Sequence, residues 1–243
     1  MPSIKRKDVI QYVEEHIGEF HTARLESLKE LKLKTVLKRK NPYLFKSKDI
    51  SVAGDLVQAI LSAHLSSQEE ALFGEFLERL SIFVCGKVYL GTKSSSEGID
   101  LELDKGGIRY LVSIKSGPNW GNSQQVKRMK DDFRKAMKSL KTSNSKITVT
   151  AVNGCCYGKD NKPQKDEYLK LCGQKFWEFI SGDSQLYLEI IEPLGHKAKE
   201  KNDEFKDSFS KILNKFTLEF MNDFCKDGII DWKKIVRFNS SAE

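Results

Sequence analysis

A chain of 243 residues is long enough to bury one substantial core, with a small second lobe within reach at that size. Its 41 Lys and Arg against 34 Asp and Glu leave a formal charge of +7, which favours a polyanionic partner, and the basic residues crowd its first forty-eight positions. The longest apolar runs are too short to cross a bilayer, and the opening MPSIKRKD lacks the apolar core of a secretory signal, so a soluble, cytoplasmic protein is expected. Cys85, Cys155, Cys156, Cys172 and Cys225 are odd in number and form no C-x-x-C pair. They read as reduced thiols rather than zinc ligands or a disulfide framework.

From Asp8 to Lys38 apolar residues recur at helical spacing (Val9, Ile10, Val13, Ile17, Phe20, then Leu25, Leu28 and Leu31), which predicts two helices broken near HTAR. Pro42 forbids continuing that pattern, and KNPYLFKSKDIS reads as a polar connector. A second helical block is expected from about Ala53 to Val84, broken near Ser66 and Ser67, where a serine can cap a new start. The period then changes. KVYLGT, GIDLELD, GIRYLVSIK and SKITVTAVNG are β-rich, and NSQQVKRMKDDFRKAMKSL between the last two is helical. A hairpin, a crossover helix and a further strand define an α/β protein with a mixed sheet flanked by helices. CGQKFWEFISG is expected to be a helix and LYLEIIEPLG a strand ended by Pro193. Residues 203–224 should form a helix with Phe205, Phe209, Ile212, Phe216 and Phe220 on one stripe. No internal repeat or linker divides the chain, so residues 1–243 are expected to form a single interwoven domain.

Strand alternation places Asp100 and Glu102 on one face of the first hairpin strand, and Arg109, Leu111, Ser113 and Lys115 on one face of the second. If DKGG closes the hairpin, Asp100 approaches Ser113 and Lys115. Carboxylate, oxygen ligand and lysine together suit metal-assisted phosphodiester hydrolysis: oxygen for Mg²⁺, an ammonium to orient or acidify water and balance phosphorane charge. The competing reading is a solvent-facing hairpin with ordinary charges. Lys115 stands directly before SGPNWGN, whose glycines and proline fix the backbone and leave amides free for phosphate, which favours the hydrolytic reading.

The run GIDLELDKGGIRYLVSIK resembles the signature of the PD-(D/E)XK nucleases, with Ile99 where a proline is usual and Ser113 in the usual acidic position. NPYLF, AHLSSQEEALFG, the Asp100–Lys115 segment, VNGCCYG and GQKFWEFISG follow in the order found in type II restriction endonucleases cutting RGGNCCY. The resemblance implies a restriction-endonuclease-like fold with extra helices at about 1–50 and 200–243, used for dimerisation or DNA binding. It also implies a Mg²⁺-dependent homodimer that cleaves double-stranded DNA at a palindromic, GGNCC-centred site. Asp100 matches the metal-binding aspartate, Lys115 the catalytic lysine and Ser113 the acidic slot.

A serine hydroxyl is a poor Mg²⁺ ligand, so a second carboxylate is sought on SSQEEALFGEFLERL. Glu70, one turn before Gly74, is the first choice for catalysis and metal binding. Glu69 and Glu78 stand behind it, Glu102 is a further route, and a glutamate favoured by a helix N-terminal dipole is the plain alternative. Ser116, Asn119, Trp120, Asn122 and Ser123 are candidate DNA contacts, with Trp120 equally readable as a core anchor. The phenylalanine stripe is either core or a dimer face, and the N-terminal helices are equally eligible for that face. Rival functions are a structure-directed repair or recombination nuclease of the same fold, an inactive DNA-binding protein, or a helical interaction protein.

Overall fold

The computed structural model describes residues 3–143 and 146–242. In chain order it contains α1 (Arg6–Lys29), α2 (Leu33–Lys38), α3 (Pro42–Ser47), α4 (Ala53–Tyr89), β1 (Thr92–Lys93), β2 (Leu101–Lys105), β3 (Ile108–Lys115), α5 (Ser123–Ser143) and β4 (Thr148–Cys155). There follow β5 (Leu169–Cys172), α6 (Gln174–Ser181), α7 (Leu186–Glu189), α8 (Ile191–Leu194), α9 (Ala198–Phe224), β6 (Cys225–Lys226), β7 (Ile229–Ile230) and α10 (Trp232–Ser240). Two compact units emerge: residues 1–17 with 74–196, and residues 18–73 with 197–243.

In the first unit the sheet order is β1-β2-β3-β4-β5, antiparallel through β3 and parallel from β3 to β5. The parallel step requires a crossover, which α5 supplies. Met129, Phe133 and Ala136 of α5 bury against Leu111, Val149 and Ala151 on one face of the sheet. Tyr110 points to the opposite face and meets Phe179 of α6 edge-on, at 5.0 Å between ring centroids. Cover on both faces is why β4 is apolar along most of its length rather than alternating.

In the second unit α2, α3, α9 and α10 enclose Leu33, Val36, Leu37, Phe45, Phe216, Phe220, Phe224 and Ile235 together with Leu56 and Leu61 of α4. The phenylalanine stripe of α9 therefore lies in this unit's core. Phe205 buries with Leu28 and Leu65, while Phe209 and Ile212 pack partly buried alongside.

Several local expectations are corrected. Helix α1 runs unbroken through HTAR, where no proline or other donor loss interrupts it. Its apolar pattern changes phase because Val9 and Val13 belong to the first unit and Leu28 to the second. Helix α4 likewise continues through Ser66 and Ser67, and the Ser67 hydroxyl donates back to the Ala63 carbonyl instead of capping a new start. The connector contains α3, whose Tyr43 and Leu44 amides donate to the Asn41 side chain, with Pro42 at the helix start. KVYLGT contributes only Thr92, the first of the two residues of β1, because α4 extends to Tyr89 and ends at Leu90, in the left-handed region at φ 56°. LYLEIIEPLG is not a strand: Leu186, Ile190 and Pro193 are buried at helical spacing, forming α7 and α8, while Leu188 and Ile191 are exposed. The outer parallel strand is instead β5, from LKLC.

Cys85, Cys155, Cys156 and Cys172 are buried and Cys225 is half-buried; all five are free thiols. Burial pushes the Cys85 and Cys156 thiols up to about 12 and raises Cys155 as well, with neighbouring Cys172 adding to the last. The thiolate, which is the reactive form, is therefore scarce at pH 8. A charged disulfide reagent is expected to label Cys225 first and the other four only on unfolding, as read by mass spectrometry of the native protein. Rapid native labelling of Cys156 would contradict this packing.

Candidate active site

The β2–β3 hairpin closes through Gly106 and Gly107, at φ 60° and 76°, with Lys105 paired to Ile108. This two-residue turn needs both positive angles and so sets the register. Leu101 then pairs with Val112, and the Asp100 amide donates to the Val112 carbonyl at 2.9 Å, extending the ladder by one bond. Beyond that point the Asp100 carboxylate takes over. Its Oδ2 accepts from the Ile114 amide at 2.6 Å, with the Ser113 hydroxyl at 3.5 Å and Lys115 Nζ at 3.7 Å. Oδ1 of Asp100 accepts no hydrogen bond among the described residues.

Lys115 and Asp100 retain side-chain exposures of 29% and 22%, so the pair is open to solvent on one side. Lys115 Nζ also lies 5.4 Å from the Trp120 ring centroid, within cation–π range. The indole of Trp120 donates to Asn153 Oδ1 at 3.1 Å, and Asn153 Nδ2 donates to the Ser113 carbonyl at 3.2 Å. Asn153 is 1% exposed and stands beside Ser113 in the parallel β3–β4 pair. It locks the wall of the site to the strand that carries the lysine. Parallel pairing of positions forty residues apart left only a weak trace in the sequence, a polar residue within an apolar strand.

The turn into Asp100 is equally constrained. Gly98 has φ 74°, and a Cβ there would lie 2.5 Å from Asp132 Oδ2, so the turn and α5 approach as only glycine allows. Asp132 is a buried carboxylate, with Arg128 at 4.0 Å and Lys135 at 3.8 Å.

Among the expected DNA contacts, Ser116 is half-buried, and its hydroxyl faces Gly74 of α4, where a Cβ would come within 2.7 Å. Asn119, Asn122 and Ser123 are exposed, while Trp120 forms the wall just described. Asn122 caps α5: its Oδ1 accepts from the Gln124 and Gln125 backbone amides, and Gln125 Oε1 accepts from the Asn122 backbone amide in return. That leaves the Asn122 amide nitrogen, rather than its oxygen, for any further contact.

The candidate second carboxylates differ in availability. Glu69 is held by Arg24. Glu102 accepts from the Ser94 hydroxyl at 2.6 Å and from Arg109 at 3.2 Å, and Arg109 also clasps Asp104, lowering the Asp104 acid below the usual carboxylate range through that hydrogen bond. Glu78 faces Lys93 at 3.5 Å. Glu70 is exposed and has no ion pair among the described residues. No group of three or more His, Cys, Asp or Glu is placed to hold a metal among the described residues.

The helix-flanked sheet, antiparallel at one edge and parallel at the other, defines a restriction-endonuclease-like fold. Residues 7–202 match the family described as Type II restriction endonuclease EcoO109I, and the chain belongs to that family. It is thereby placed among site-specific DNA endonucleases. A search of curated proteins finds no match. Among the described residues no helix is long and apolar enough to cross a membrane.

Replacing Asn153 by Ala removes the acceptor of the Trp120 indole and the side-chain donor to the Ser113 carbonyl. A loss of about 1–3 kcal/mol is expected, together with a shift in tryptophan emission. Urea unfolding followed by fluorescence checks both, and an unchanged midpoint would show that Asn153 does not hold the wall.

Proposed function

We propose that the chain hydrolyses double-stranded DNA at a short palindromic site by in-line attack of water, acting as a Mg²⁺-dependent homodimer of the PD-(D/E)XK type. The observation that carries this reading is the Asp100–Lys115 pair at the end of β3, in a chain of this endonuclease family. A GGNCC-centred recognition sequence follows from the resemblance of the ordered segments to the RGGNCCY group.

The residues fit a small hard cation. Mg²⁺ is commonly held by one or two carboxylates with water and substrate phosphate completing the shell, and Asp100 offers an oxygen with no hydrogen bond. Bound there, Mg²⁺ would supply Lewis-acid charge for the phosphate and lower the pKa of water. The chain's own groups do the rest. The Ile114 amide fixes the Asp100 carboxylate in one orientation. Lys115, steered by Asp100 and the Trp120 face, presents an ammonium that orients the attacking water and offsets charge building on the phosphoryl oxygens. Ser113 is 1% exposed and its hydroxyl is directed at Asp100, which suits a supporting role rather than that of a missing carboxylate. For the second carboxylate we choose Glu70, on its free state and its position one helical turn before Gly74 along α4.

Lys115→Ala is expected to lower cleavage by about a hundredfold or more while leaving DNA binding measurable; Ser113→Ala should be the milder change. Digestion of long natural DNA with Mg²⁺, beside an EDTA control, should give discrete metal-dependent fragments. A smear would indicate a structure-directed or nonspecific nuclease. Tight binding without cleavage would indicate a DNA-binding protein and turn Ser113 in the acidic slot into evidence for it. Full activity in Lys115→Ala would end this mechanism.

Glu70→Gln should raise the Mg²⁺ concentration needed for half-maximal cleavage, and Glu78→Gln should leave it nearer the parent value. The reverse order in a Mg²⁺ titration would move the second carboxylate to Glu78.

A further inference from the structure

Helices α2, α3 and α10 come from opposite ends of the chain yet share one buried cluster in the second unit, through Leu33, Val36, Leu37, Phe45 and Ile235. With their apolar sides turned inward, their outer sides carry Lys38, Arg39, Lys46, Lys233, Lys234 and Arg237, all exposed. None of these six has a carboxylate within ion-pair distance among the described residues. The nearby acids are mostly engaged: Asp223 pairs with Lys34 at 2.9 Å, and Asp231 caps α10 by accepting from the Lys234 amide at 3.0 Å. Asp49, exposed after α3, is the remaining acid of that loop.

Two of the cations are steered by rings. Lys38 Nζ lies 5.4 Å from the Phe238 centroid and Lys46 Nζ 5.5 Å from that of Trp232, both across the α10 seam. Tyr43, 64% exposed at the start of α3, adds a hydroxyl to the same helices. Uncompensated cations spread over several short helices, rather than gathered in a cleft, suit an extended polyanion better than a small phosphate ligand. Helix α10 also lies outside residues 7–202, so the match to the family says nothing of it.

We propose that the α2–α3–α10 face binds the phosphate backbone of duplex DNA without reading its sequence, as a contact surface of the second unit additional to the catalytic one. The inference rests on the reading of the chain as a DNA endonuclease. Such a face lends affinity and register along the duplex, because phosphate contacts position a protein while base contacts specify the site.

The test is a triple variant, Lys233→Gln, Lys234→Gln and Arg237→Gln, beside a charge-matched control with Lys199, Lys211 and Lys215 of α9 changed to Gln. All six positions are exposed, and thermal melting serves as the check that both variants fold. Binding to a duplex of arbitrary sequence is measured with Ca²⁺ in place of Mg²⁺ over a range of salt. In the α10 variant the slope of log affinity against log salt should shrink by about 2–3, with affinity falling alike for every duplex. The α9 control should keep the parent slope. An unchanged slope in the α10 variant, or an equal loss in the control, overturns the proposal. If the parent protein cuts DNA while the α10 variant keeps its slope, the face alone is wrong. If the parent neither cuts nor binds DNA, the endonuclease reading fails beneath it.

Discussion

The bond from the Ile114 amide to the Asp100 carboxylate organises the candidate site in the first unit. Antiparallel pairing of β2 and β3 stops at Asp100, and from there a side chain, not the backbone, satisfies the next amide of β3. The carboxylate is therefore held in one orientation by the fold itself, with one oxygen engaged and the other without a hydrogen bond among the described residues. Because Ile114 lies between Ser113 and Lys115, the same bond sets both neighbours relative to Asp100. A site built on strand ends in this way is more rigid than one built on loops.

Support for that bond comes from several directions. Gly106 and Gly107 fix the register that delivers Asp100 to the strand end. Gly98 lets the incoming turn lie against Asp132 of α5, and Asn153 ties the Trp120 wall to the Ser113 carbonyl. Hydrogen-bonded groups at 1% exposure leave little room for alternative arrangements, since a broken bond there would strand a buried polar atom.

Basic charge is put to two uses. Inside the first unit Arg109 and Lys115 face carboxylates, so each is paired and directional. At α2, α3 and α10, by contrast, Lys38, Arg39, Lys46, Lys233, Lys234 and Arg237 lack such partners among the described residues and form a field instead, Lys34 alone of the α2 lysines being paired, with Asp223. An excess of +7 over the whole chain understates that difference, because pairing rather than number decides what remains to attract phosphate.

Local spacing carried much of this protein. Period-two alternation and the paired glycines were enough to predict the hairpin, and with it the approach of Asp100 to Ser113 and Lys115, because a short turn leaves a single register. The crossover helix and the mixed sheet followed from the order of elements. Tertiary structure decided what local spacing could not. Residues 17 and 18 fall in different compact units although α1 runs through both, so a change of apolar phase looked like a break in the helix. Leu186, Ile190 and Pro193 suit either a strand or short helices until burial selects among them, and LKLC gains its place only by pairing with β4. Asn153 reaches the site through a parallel partner forty residues away, and α10 joins α2 and α3 across nearly the whole chain. A sequence states which faces its elements can offer; which distant element covers each face is settled only when the chain packs, because the free energy of burial depends on the partner and not on the neighbour.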